Sequence, residues 1–412
     1  VGVQVSCIKR TTLHWHLSFD IMKDKRILGF PKNVFALGGT SFLNDAASEM
    51  IYPLLPVFLT TTLGAGAAFL GLIEGIAEST ASLVKLFSGW LSDRIGKRKG
   101  LVLFGYGLAA VARPLIAISH AAWQVLLIRA GDRTGKGVRG SPRDALVAAS
   151  CEENERGKAF GFQRAMDHAG AIVGPLLASL ILFLIPGNYR LMFALASIPG
   201  LLTLPLIALG VREMMPASAS QAKGVKLTLA PFTGKFKFYL AILVLFTLGN
   251  SSDAFLLLRA KTLGVAVALL PILWIVLHIV KMASSVPGGI LSDKLGRRGI
   301  IVAGWMVYAL AYLGFGLAGR AWHIWGLFAF YGLFFGLTEG VEKAYVADLV
   351  PEALRGTAYG LYNFAIGIAA LPASLLFGLV WQTTKSALLA FGLGGTLAFL
   401  ASLLLLTFVR GK

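Results

Sequence analysis

The chain has 412 residues, 56% of them hydrophobic and only 14% charged, with a formal net charge of +18. Soluble globular chains carry about 25% charged residues, so this composition excludes an ordinary soluble domain and points to an integral membrane protein. The positive charge would suggest nucleic acid in a soluble chain; here it gathers in one set of loops between apolar runs, the pattern that sets membrane topology.

Residues 1–33 mix charge with short apolar pieces and show no cleavable signal peptide. The chain begins with Val and Met22 opens MKDKR, so the first ~21 residues are expected to be an extension that contributes little to the fold. A helix needs roughly 20 apolar residues to cross the hydrocarbon core. Spans are predicted at 34–59, 67–91, 100–119, 122–149, 158–184 and 190–210, then at 238–261, 265–291, 299–318, 323–349, 356–382 and 385–409. The polar, basic segment 211–237 separates an N-terminal six-helix half (34–210) from a C-terminal one (238–409). The loops at 93–100, 152–158, 211–237, 293–299 and 351–356 are rich in basic residues, whereas the alternate loops are nearly uncharged. The positive-inside rule then puts both termini in the cytoplasm, in an inner or plasma membrane of bacterial type. Cys7 and Cys151 make no disulfide framework.

The two halves repeat. GWLSDRIGKR (89–98) recurs as GILSDKLGRR (289–298), and RGKAFGFQ (156–163) recurs as RGTAYGLY (355–362). Parallel halves related by an axis along the membrane normal are a known transporter architecture.

The loop beginning Gly89-Trp-Leu-Ser-Asp93-Arg94-Ile-Gly96-Lys97-Arg98 resembles the loop 2–3 motif of the major facilitator superfamily, and its second copy, with Asp293 and Arg297, falls in loop 8–9 as that family's does. The resemblance implies an all-α membrane fold of twelve helices in two pseudo-symmetric halves, a monomer, and secondary transport by rocker-switch alternating access. It also implies that the motif latches the two halves on the cytoplasmic side. The motif has a physical logic. Gly89 and Gly96 permit close approach and a tight turn, and Asp93 is suited to a helix N-terminus or an arginine. Arg133-Thr-Gly-Lys136-Gly-Val-Arg139 is similar to the fourth-span R-x-x-Q-G-x-G of the family, with Lys and Arg replacing Gln and Gly. In the family that first arginine is implicated in proton coupling. Gly170-Ala-Ile-Val-Gly174-Pro175-Leu-Leu-Ala-Ser is similar to the fifth-span antiporter motif, its last two glycines replaced by other small residues. The same residues would equally serve helix packing.

Ionisable groups inside spans are costly and face a cavity or a partner. At 100° per residue, Arg129, Asp132, Arg133, Lys136, Arg139, Arg143 and Asp144 fall within an arc of roughly 140° on the fourth span. On the first, Ser41, Asn44, Asp45, Ser48, Glu49 and Tyr52 do likewise. Asp45 and Glu49 lie at the depth of Arg133 and Arg129, so an Asp45/Glu49 to Arg129/Arg133 network is expected. A substrate that competes for the arginine would free the carboxylate to take a proton. Glu74, Glu78 and Lys85 share a face of the second span. Arg164, Asp167 and His168 sit toward the cytoplasmic end of the fifth. Asn250 and Asp253 sit mid-span in the seventh, His278 and Lys281 in the eighth, and Glu339, Glu342 and Lys343 share a face of the tenth. The repeat matches Glu342 and Lys343 with Arg143 and Asp144, inverted signs that would bridge the halves at the cytoplasmic mouth.

The expected function is transport of a small organic, anionic or zwitterionic solute, proton-coupled and in the export direction. Coupled uptake of an organic acid or carboxylate-rich metal chelate, and a non-transporting receptor of the same fold, are the alternatives. No nucleophile–base set or metal-ligand cluster points to an enzyme or a resident metal. No organic cofactor is called for. The proton gradient is the expected energy source, with Na+ or a divalent cation in second place. Substrate and lipid bilayer are the expected partners, and nucleic acid is not one.

Overall fold

The computed structural model describes residues 26–64, 67–214, 227–266 and 269–408, with the side chains of Pro56, Thr60, Thr61, 67–79 and Phe408 outside that description. Cys7, Glu74 and Glu78 therefore lie outside the described residues, as does the N-terminal extension.

A short antiparallel hairpin opens the described chain, β1 (Arg26–Ile27) pairing with β2 (Phe30–Pro31). Six long helices follow: α1 (Lys32–Ile51), α2 (Ala67–Ile95), α3 (Lys99–Leu115), α4 (Ala122–Ala149), α5 (Arg156–Leu184) and α6 (Ser197–Gly210). After the central loop come α7 (Gly234–Gly249), α8 (Leu270–Leu295), α9 (Arg297–Leu317), α10 (Ala321–Leu349), α11 (Arg355–Thr384) and α12 (Ala387–Phe408). This is an all-α membrane architecture of twelve long helices in two six-helix halves. Among the described residues, nine helical stretches are long and apolar enough to cross a membrane on composition alone. The fourth helix is not one of them, because one of its faces carries the seven charges from Arg129 to Asp144. That face is turned into protein, as hydrocarbon requires. Large apolar side chains such as Phe104, Phe183, Leu209 and Leu375 point outward instead.

Three expected spans are not continuous helices, the sixth being divided at Ala196 into Tyr189–Leu195 and Ser197–Gly210. The first stops at Ile51 and resumes at Leu55–Val57, followed by a π-helical turn over Phe58–Thr62. Pro53 explains the stop, since it has no N–H to donate to the preceding turn. The seventh breaks between Gly249 and Ala254 and resumes as Ala254–Thr262. Asn250-Ser-Ser-Asp253 offers side-chain acceptors and donors that compete with the helical ladder. The Ser252 hydroxyl accepts from Ala254 N (3.3 Å), and Ser251 Oγ lies 3.1 Å from Tyr312 OH.

The halves meet along two helix pairs, α2 with α11 and α5 with α8. Glycines make both contacts possible. Gly89 lies against the carbonyl of Gly356, and Gly289 against that of Gly157. A Cβ on Gly360 would stand 2.9 Å from Leu86 O. Small residues at such crossings let backbones approach where larger side chains would hold them apart.

Candidate functional site

Between the halves lies a cavity of about 560 Å³, bounded by α1, α3, α4 and α5 on one side and by α7, α8, α10 and α11 on the other. Its walls differ in chemistry. The N-terminal wall is charged, with Asp45, Glu49, Arg113, Asp132, Arg133, Lys136, Arg139 and Arg143 all reaching it. The C-terminal wall combines Leu243, Phe246, Phe334, Phe335 and Ile366 with polar groups that include Asn250, His278, Lys281, Glu339, Glu342 and Lys343.

The charged wall is organised around Asp132 and Asn44. Arg113 donates through Nε to Asp132 (3.0 Å), and through Nη1 and Nη2 to the carbonyl and side-chain oxygens of Asn44 (both 3.0 Å). The Tyr52 hydroxyl also donates to Asp132. Arg129 sits 3.7 Å from Asp132 and 3.9 Å from the Tyr52 ring centroid. Arg139 donates to Asn44 Oδ1 (3.2 Å) and lies over the Tyr106 ring. Arg143 donates to Ser41 Oγ, Tyr106 OH and Asp144. With its amide oxygen turned inward, Gln163 accepts from Arg143 Nε at 2.7 Å.

This corrects one expectation. Arg129 pairs with Asp132 of its own helix, and among the described residues neither Asp45 nor Glu49 forms an ion pair with Arg129 or Arg133. Asp132 lies one turn from Arg129 on the same face and so reaches it without crossing between helices. Asp45 instead accepts from Asn44 Nδ2 (2.7 Å), while Glu49 faces the cavity alongside Arg133 and Lys136. Glycines of the fifth-span motif press directly on both carboxylates' helix. A Cβ on Gly170 would stand 3.1 Å from Asp45 Cβ, and one on Gly174 would stand 2.9 Å from Glu49 Cβ.

Contacts that join the halves cluster at the end carrying the basic loops. Asp93 at the end of α2 accepts the backbone N–H groups of Gly356 (3.0 Å) and Thr357 (2.6 Å) and the Thr357 hydroxyl (2.9 Å), so it caps α11 of the other half. Arg98 donates to Asp93 (3.3 Å) and to Glu352 O (3.2 Å). The second copy mirrors this. Asp293 accepts from Gly157 N (2.9 Å) and Lys158 N (2.8 Å), capping α5, while Arg297 donates to Asp293 and to Glu153 O. A carboxylate at a helix N-terminus is favoured by orphan N–H groups and the helix dipole. Gly96 and Gly296 make the turns, with φ of +65° and +94°. Arg94 lies outside the latch, exposed and stacked over Trp90 at 5.2 Å.

The arginine register slips by one residue relative to the gapless repeat. Arg297, not Arg298, takes the place of Arg98, because α9 starts at Arg297, directly after Gly296, while three residues separate α2 from α3. Arg156 and Arg297 both reach Asp348, adding a further tie between the halves.

Deeper, Lys343 Nζ lies 2.5 Å from Asp144 across the halves. Its neighbour Glu342 makes no such bridge. It accepts from Trp305 Nε1 (2.9 Å) and Tyr362 OH (2.7 Å) within its own half, so the inverted-sign match yields one bridge. A second cross-half pair joins His168 Nε2 to Glu339 at 3.1 Å. Asp253 accepts from Tyr331 OH (2.7 Å) and is not among the residues that line the cavity. The residues that sequence reasoning passed over are Arg113, Tyr106, Trp305 and Tyr362. Arg113 had a legible signal: it is the lone charge well inside an otherwise apolar third span.

The sequence pattern of the Major Facilitator Superfamily matches residues 37–374. The chain belongs to the major facilitator superfamily. A relative of 36% identity over 381 residues, spanning 91% of this chain and 94% of its own, is an uncharacterized MFS-type transporter of Methanocaldococcus jannaschii. Among solved structures, the human organic anion transporter MFSD10 (TETRAN) aligns at a TM-score of 0.75 and 16% identity over 91% of this chain and 99% of that one. The E. coli fucose:proton symporter FucP aligns at 0.74 and 14%, over 92% and 98%. At those identities the structures speak to the fold. This superfamily member is therefore a multi-pass membrane transporter, its two halves locked together at the motif end around a charged cavity.

Proposed function

We propose that this chain is a proton-coupled secondary transporter that exports a small organic anion or zwitterion, its two halves rocking about the cavity. One observation carries the reading. A cavity large enough for a small organic solute lies between halves whose mutual contacts at one end are caps and ion pairs, which can part without unfolding either half. Basic loops put that end on the cytoplasmic side, so the conformation described is closed to the cytoplasm. Asp45 and Glu49 are the proposed proton carriers. Both reach the cavity, which Glu49 shares with Arg133 and Lys136. The fold is shared with an organic anion transporter and a fucose:proton symporter, so both an anionic cargo and proton coupling are within its reach.

The test is transport in proteoliposomes under an imposed pH gradient, with a mixed library of organic acids, amino acids and neutral sugars. Movement of an acid against proton flow supports export by antiport. Co-accumulation with protons would turn the reading to uptake. No pH-driven flux of any charged solute would sink it.

A further inference from the structure

The cations of the charged wall are the obvious seat for an anion, yet several of them already have partners within the protein. Arg113 is held by Asp132 and Asn44, Arg139 by Asn44, and Arg143 by Asp144. Lys281 of α8 is different. It is 95% buried, it reaches the cavity, and among the described residues its Nζ has no ion-pair or hydrogen-bond acceptor. Its partners are ring faces: Phe335 at 3.3 Å and Trp274 at 5.9 Å from the centroids. The nearby carboxylates are engaged elsewhere, Asp253 with Tyr331 and Glu339 with His168. One turn away, His278 also reaches the cavity, and its Nδ1 has no hydrogen-bond partner among the described residues. A buried ammonium without a counter-charge costs several kcal/mol, a cost that an anionic ligand would relieve. Beside Lys281 the wall is aromatic, with the Phe334 ring 4.7 Å from that of Phe335 and tilted to it by 59°, and Phe246 5.7 Å from Phe334.

We propose that the cavity binds an amphipathic organic monoanion, its acidic group on Lys281 with His278 as second donor, and its apolar or aromatic body against Phe246, Phe334 and Phe335. The assignment rests on the anion reading above and moves the recognition of charge from the arginine-rich half to the aromatic half. An anion at Lys281 gains a full charge partner in a site shielded from water, where such a bond is stronger than at a surface. Its apolar part covers aromatic faces that an inorganic anion would leave in contact with water.

The experiment is ligand binding to the full chain purified in detergent, by thermal shift and calorimetry. The probes are benzenesulfonate, its neutral isostere benzenesulfonamide, and inorganic sulfate. Benzenesulfonate is expected to bind more tightly than both others. K281Q should weaken it by about tenfold or more, and K281R should keep most of the affinity. K281M, which removes the unpaired charge, should melt no lower than the parent without ligand while losing the benzenesulfonate shift. That combination separates a binding lysine from a merely structural one. Undiminished benzenesulfonate binding in K281Q, with loss in R133Q or K136Q, would overturn the Lys281 assignment while leaving the anion reading in place. Equal binding of sulfonate and sulfonamide to the parent chain would overturn both.

Discussion

Lys343 of α10 meets Asp144 of α4 at 2.5 Å, joining the two halves from positions that the internal repeat makes neighbours of equivalence. Both side chains are buried. Removing one partner from such a pair costs about 3–5 kcal/mol through the charge left behind, whereas removing both costs much less. D144N strands Lys343, whereas K343Q leaves Asp144 with Arg143, so D144N is expected to loosen the closed state more than K343Q, and the double variant less than the sum of the two. A double-mutant cycle on melting temperature checks this, and additive losses would mean that the pair contributes no coupling.

The two caps make a parallel case. Asp93 holds the first amides of α11, and Asp293 those of α5. Hydrogen bonds to a charged acceptor contribute about 1.5–3 kcal/mol each. D93N and D293N should each shift the chain toward the form open at the latch end, without unfolding it. Amide exchange reports this directly: protection should fall at 355–358 in D93N and at 156–159 in D293N. Unchanged protection at those amides in both variants would contradict the capping role.

What was legible beforehand follows a physical division. Span order, the two halves and the motif glycines are local properties: apolar length, repeat and turn chemistry. The face shared by Asp45 and Glu49 was legible too, because helical periodicity fixes it. The pairing of Arg129 with Asp132 was not. Periodicity puts Asp132 and Arg129 on one stripe but does not say whether the arginine reaches along the helix to Asp132 or across to Glu49. The break at Asn250–Asp253 was hidden because apolar sequence on both sides outweighs four polar residues in any hydropathy window. Arg113, a lone charge in an apolar span, was legible as a buried group in need of a partner, but not as the hub that ties α3 to α1 and α4.

The fifth-span motif separates packing from mechanism by substitution. A Cβ on Gly174 would come 2.6 Å from Ala46 O, a backbone atom that cannot swing away. Overpacking of this kind costs about 1–3 kcal/mol, so G174V is expected to lower the melting temperature and loosen α1 from α5. P175A restores a backbone donor within α5 and should leave the melt nearly unchanged. If P175A keeps its stability but loses pH-driven flux, the motif has a mechanical role beyond packing. If flux tracks stability in both variants, packing is its whole contribution.

The proposed proton carriers give the last prediction. Asp45 and Glu49 lie one turn apart on α1 and both reach the cavity, yet neither is spent in an ion pair with Arg129 or Arg133 among the described residues. A carboxylate in that position can pick up and release a proton as the cavity changes sides, and its amide analogue cannot. D45N and E49Q keep size and hydrogen-bonding shape, so the fold should survive both. If either group carries the coupled proton, its amide variant should lose accumulation driven by an imposed pH gradient and keep exchange of labelled for unlabelled solute, which needs no net proton movement. Exchange measured beside accumulation in the same proteoliposomes distinguishes lost coupling from lost binding. Full pH-driven accumulation in both variants would remove these two carboxylates from the mechanism and direct attention to the cross-half pair of His168 and Glu339 at 3.1 Å.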